Sequence, residues 1–132
     1  MFFKMLVSVL PSLGFRFVGD ELPTMEGVAV FIHDALSGEA HKIAAAFREV
    51  ALVIVPPGHQ INSHVHEGNA VMIPLFGSAR TLDGEDAHFG AIIKFEGAKP
   101  HGFQNVGSNG LVFLSLNEGI SLGRGQPDVR AA

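Results

Sequence analysis

Apolar residues fall in short, closely spaced clusters along this chain: Val28–Ile32, Val50–Val55, Val71–Phe76, Ala91–Phe95 and Leu111–Leu116. Between them stand Pro56-Pro57-Gly58, Gly77-Ser78, Asp83-Gly84, Gly97-Ala98 and Gly107-Ser108-Asn109-Gly110. Runs this short, divided by turn chemistry, predict an all-β sandwich or barrel rather than βαβ units. Asp83-Gly84 predicts a two-residue hairpin turn, because both residue types tolerate positive φ. The run Val71–Phe76 is apolar on both faces, which predicts a strand lying between two layers. Pro74 removes a ladder donor within it and predicts an edge or a bulge.

Ala40–Val50 resists this pattern. It is rich in helix formers and puts Ile43, Phe47 and Val50 on one helical face, yet it could equally be a strand with alanine facing inward. Strand is favoured for its later half. The start, Met1–Leu10, superficially resembles a secretory signal, but its apolar run after Lys4 is short, Pro11 interrupts it, and no small-residue cleavage site follows closely. Residues 1–12 are therefore read as an apolar arm packing on the body or on a second subunit, with an export signal as the minority alternative. Phe2, Phe3, Leu6 and Val9 in that arm favour a homodimer, since an exposed apolar patch invites association. Residues 123–132 are polar and expected to fray. No internal repeat is present, and 1–132 reads as one domain.

Composition narrows the chemistry. Nine basic against thirteen acidic residues give a formal charge of −4, with no basic stripe. That argues against nucleic acid and against an anionic membrane surface. No stretch is long enough to cross a membrane, and a cytoplasmic location is expected. The chain has no Cys, Trp or Tyr, so thiolate sites and disulfides are excluded. Proton transfer is left to His, Asp, Glu and Lys. The eleven phenylalanines are expected mostly in the core.

The densest reactive grouping is His64-Val65-His66, with His101 further on. Residues two apart on a strand share a face, about 7 Å apart, so two imidazoles so placed can converge on one metal ion. Taken alone, such a pair reads more often as surface or structural histidines. Gln60 and Asn62 would share that face by parity, either to orient a substrate or as rim residues satisfying backbone groups. His33, His41, His59 and His88 fit no ligand pattern, and Lys94 and Glu96 are expected to be solvated.

Read together, Gly58-x5-His64-x-His66, Gly77, and Gly90-x10-His101-x3-Asn105 resemble the two sequence motifs of the cupin superfamily over about residues 50–117. The resemblance implies a jelly-roll barrel, the double-stranded β-helix, with a metal in its bowl. It implies His64, His66 and His101 as ligands, Pro57-Gly58 as the turn before the ligand strand, and Asn105 as a pocket or strand position. Two positions depart from the pattern. Ala70 stands where the family has a ligand glutamate, and Glu96-Gly97-Ala98 replaces a Pro-x-Gly turn.

Glu67, adjacent to His66, could supply the missing carboxylate if a bulge turned it inward, and Asn69 is a weaker candidate. Three histidines with open positions is the favoured site. Neutral imidazoles leave a divalent ion its full charge, which suits an anionic, chelating substrate. Iron is the first choice of metal; Zn, Ni, Mn and Cu are alternatives. Ala70, Met72, Pro74 and Phe76 would line the cavity, with Phe103 beside His101, and Phe76 and Phe103 would exclude water. The function implied is a metal-dependent, dioxygenase-like oxidoreductase acting on a small organic molecule. The alternative is a non-catalytic sensor or binding cupin. A sugar-phosphate isomerase is disfavoured, because no Lys or Arg cluster stands near the motifs, Arg80 being the nearest.

Overall fold

The computed structural model of the chain describes residues 2–18, 27–37, 47–119 and 130–131. A short helix α1 (Phe2–Val9) and a 3-10 turn (Leu10–Leu13) lead into strands β1 (Phe15–Phe17), β2 (Ala29–His33), β3 (Glu49–Val55), β4 (Ile61–Val65) and β5 (Ala70–Thr81). Then come β6 (Asp86–His88), β7 (Ile93–Phe95), β8 (His101–Gln104), β9 (Leu111–Asn117) and β10 (Arg130–Ala131). All pairings are antiparallel, and the sheet curls in the order β1-β2-β3-β9-β5-β8-β4-β10. The fold is thus all-β, with two facing walls. β5 is long enough to serve both: its first half pairs with β9 and β7, its second half with β8 and β6.

Between the walls lies one apolar core, including Val30, Val53, Val55, Ile61, Phe103 and Phe113. A second cluster sits outside the first wall, where Leu10 and Leu6 cover Phe31, Leu52, Ile54 and Val112. The N-terminal arm therefore packs on the body. Burying Leu10 alone contributes on the order of 2 kcal/mol. Every residue of β3 is buried, with the arm's Leu6 and Leu10 packed on the cluster of one face and the core on the other. His33 helps hold the arm: its Nε2 lies 3.0 Å from the Leu13 carbonyl, and its Nδ1 accepts from the Leu36 amide.

Several expectations need correction. Val71–Phe76 is not buried on both faces, since Val71 and Ile73 are half-buried and Leu75 and Phe76 exposed; the doubly covered strand is β3. Pro74 does mark a bulge, the register against β9 slipping between Pro74 and Phe76, but β5 is internal rather than an edge. The Asp83-Gly84 hairpin joins β5 to β6 through a longer loop. The Gly84 amide bonds the Thr81 carbonyl, the Thr81 amide bonds the Glu85 carbonyl, and of the pair only Gly84 takes positive φ. Of residues 40–50, the structure shows strand from Glu49 onward; residues 40–46 and the tail 123–129 lie outside the described residues.

Gly77, one of the motif glycines, is needed twice. Its φ is +80°, and a Cβ there would overlap the Gly110 carbonyl, which approaches to receive the Ser78 amide.

Candidate metal centre

β4 and β8 bring the histidines together through an irregularity. Ile61 is opposite Phe103 and His64 opposite His101, so β4 carries one residue more than its partner between them. This bulge lets Ile61 and His64 both face inward although they are three residues apart. It depends on Gly102, where a Cβ would press on the Ile61 and Asn62 carbonyls. The same bulge overturns the expected parity: Gln60 and Asn62 are exposed, and the Gln60 amide donates to Asn62 Oδ1 at 2.7 Å. Their side chains stand outside the cavity. What Asn62 contributes is its main-chain carbonyl.

His64, His66 and His101 are 3%, 2% and 4% exposed. Each ring offers one nitrogen to a set lying within 4.8 Å of one another. Each Nδ1 faces a carbonyl two residues away: His64 to Asn62 at 2.8 Å, His66 to Gly68 at 3.0 Å, His101 to Lys99 at 3.0 Å. A carbonyl only accepts, so each Nδ1 carries its hydrogen and each neutral ring keeps a bare lone pair on Nε2. The Nε2 atoms of His66 and His101 are 3.0 Å apart. Two bare lone pairs that close repel unless a cation lies between them.

A proton is a poor candidate for that cation. Burial, then the neighbouring His64, push His101 down to about 4, and burial also lowers His64. Residues, spacing and tautomers together fit a divalent metal ion.

The other site candidates are distributed unevenly. Glu67 is exposed and outside the cluster. Asn69 accepts from the Gly97 amide at 2.8 Å and donates to Glu118 at 2.9 Å, so it braces a turn. Phe76 is 37% exposed, displaced outward by the bulge after Pro74. Asn105 sits at a bend with φ +52° and borders a separate hollow of about 300 Å³ beside Arg80 and His88, away from the histidines. Phe103 does line the cavity, against Phe113 with ring centroids 5.1 Å apart.

Three contributors were missed. Phe95 stacks on His101 at 4.4 Å and 14°, which holds the ring between its carbonyl and its partners. Ser115 and Asn117 border the cavity from the opposite wall. Alternation along β9 was the available signal, since 111, 113, 115 and 117 share one parity and the last two are polar.

The space between histidines and facing wall has room for about one water molecule. A wider groove of about 400 Å³ opens on the far side of His101, lined by Asp83, Lys94, Glu96 and Lys99 among others. Lys99 pairs with Glu96 at 2.7 Å on the surface. Lys94 and Glu96 are both exposed, as expected.

No protein-family model matches the sequence, and no curated protein matches it. Solved structures do. A conserved protein with a double-stranded β-helix domain from Klebsiella pneumoniae is 25% identical over 57% of this chain and 70% of its own, with TM-score 0.51. A predicted oxalate decarboxylase from Thermotoga maritima is 24% identical over 79% of this chain and 90% of its own, TM-score 0.58. Bacillus subtilis oxalate decarboxylase, described with Mn(II) centres, is 27% identical over 74% of this chain but 27% of its own, TM-score 0.57. The fold is the cupin-like double-stranded β-helix. Within it, three histidines form a possible metal site.

Proposed function

We propose that the chain is a metal-dependent cupin enzyme of three-histidine type, dioxygenase-like, acting on a small chelating organic acid. The observation carrying this reading is the buried triad itself, with the Nε2 atoms of His66 and His101 3.0 Å apart and each Nδ1 facing a carbonyl. His64, His66 and His101 would hold a divalent ion, which would supply Lewis acidity at undiminished charge because all three ligands are neutral.

The chain's own residues do the rest. Carbonyls of Asn62, Gly68 and Lys99 fix the three tautomers. Phe95 and Phe103 keep bulk water from the rings. In the adjoining groove Asp83 and Glu96 offset Lys94 and Lys99, so its rim carries no net charge. Met72, a flexible thioether on the cavity wall, is the side chain best able to yield to an entering ligand. Iron is the metal we favour, with Mn, Zn, Ni and Cu also compatible with nitrogen ligation.

Mass spectrometry of the purified chain, with oxygen uptake on hydroxy acids, keto acids, diketones and catechols, tests this. Iron near one per chain with uptake is expected. Full metal occupancy without reaction across the panel supports the second reading, a sensor or binding cupin, which the narrow cavity and the alanine at position 70 favour.

Among the described residues no helix is long and apolar enough to cross a membrane; the compartment proposed is the cytoplasm. A homodimer is proposed through the arm, where Met5, Val9 and Leu13 remain exposed.

A further inference from the structure

The wall facing the histidines carries three buried polar side chains that metal binding leaves unused. Glu49 on β3 pairs in register with Asn117 on β9, which pairs with Ala70 on β5. All three are buried, at 1%, 1% and 0% exposure. Neighbouring strands lie about 4.8 Å apart, so a carboxylate stands in the same row as Ala70, two strands away. Glu49 Oε1 accepts from Asn117 Nδ2 at 2.7 Å, and Asn117 Oδ1 accepts from the Ser115 hydroxyl at 3.0 Å. Ser115 and Asn117 border the cavity beside the histidines.

This chain of bonds has a direction. The Asn117 amide turns its NH₂ to Glu49 and its oxygen to the Ser115 hydroxyl, the direction that an ionised carboxylate, which only accepts, enforces. The Ser115 proton is thereby committed, and what Oγ has left are acceptor lone pairs. A buried acceptor without a donor is costly, so a ligand that brings one gains an advantage over a ligand that does not.

We infer that Glu49 acts through Asn117 as a positioning residue that fixes Ser115 Oγ as an acceptor beside His64, His66 and His101, so that the site selects acids bearing a hydroxyl donor. This rests on the metal-binding reading above. It assigns the carboxylate of this site to orientation of the ligand rather than to the metal.

The test uses the chain loaded with cobalt(II), whose visible spectrum reports ligand entry, titrated with glycolate and with acetate. The native chain is expected to prefer glycolate, and Ser115→Ala to reduce that preference roughly tenfold. Glu49→Gln is expected to reduce it about threefold, because a glutamine amide lets the chain of bonds run either way. Cobalt affinity should change little in either variant. If Ser115→Ala fails to fold, as thermal melting would show, Glu49→Gln alone decides the matter. An unchanged preference with cobalt still bound overturns this inference and spares the metal reading. Failure to bind cobalt, or binding indifferent to His101→Ala, overturns both.

Discussion

The two walls of the cavity bury polar groups by opposite means. On the wall of β4 and β8, each histidine is held by a carbonyl two residues away in its own segment. On the wall of β3, β9 and β5, Glu49 is bonded to a residue 68 positions distant, through side chains. The first wall is organised locally and converges on one point. The second is organised across strands and depends on the sheet having formed. The ligand-bearing wall should therefore govern metal affinity, and its neighbour the integrity of the fold.

The largest expected effect separates these roles. Phe113→Ala, on the β9 wall, removes a side chain packed against Phe103 in the core and should cost about 3–5 kcal/mol in denaturant unfolding. His101→Ala removes one of three ligands and should weaken cobalt or zinc binding more than about a hundredfold in competition titrations. If Phe113→Ala instead abolished metal binding in protein that remained folded, the division between the walls would fail.

Acid sharpens the same contrast. His101 is pushed down to about 4, first by burial and then by His64, from an ordinary value near 6.5. Between those values the unfolded chain takes up a proton that the folded chain refuses. Stability from this ring is thus complete above about pH 6.5 and lost as pH falls toward 4. Metal-free protein should lose several degrees in melting temperature across that window, and His101→Ala should flatten the slope. An equally steep slope in the variant would place the responsible group elsewhere.

How far each wall could be read beforehand follows from the same distinction. The triad was legible because His64 and His66 share a local spacing and His101 stands at motif spacing between Gly90 and Asn105. The barrel was legible from short apolar runs and their turns. Parity failed where one extra residue entered a strand: the bulge between Ile61 and His64 turned Asn62 outward, and the one after Pro74 turned Phe76 outward. A single insertion reverses every side chain beyond it, and only the Pro74 bulge announced itself in residue type. Glu49 and Asn117 were invisible as a pair, since their meeting requires the full β3–β9 register.

The smallest expected effect examines that reversal directly. If Gln60 and Asn62 faced the histidines, replacing either with alanine would disturb the ligand space and change binding of a chelating acid by a large factor. With both side chains exposed and bonded to each other, only the Asn62 carbonyl serves His64, and alanine retains that carbonyl. Gln60→Ala and Asn62→Ala should each leave cobalt and glycolate affinity within about twofold and stability within about 0.5 kcal/mol. Asn62→Pro is the informative contrast. Proline alters the backbone at the bulge while leaving all three imidazoles in the sequence, and should lower metal affinity where alanine does not. A tenfold loss in Asn62→Ala would mean that the amide itself faces the metal space, and the register of β4 against β8 would need to be redrawn by one residue.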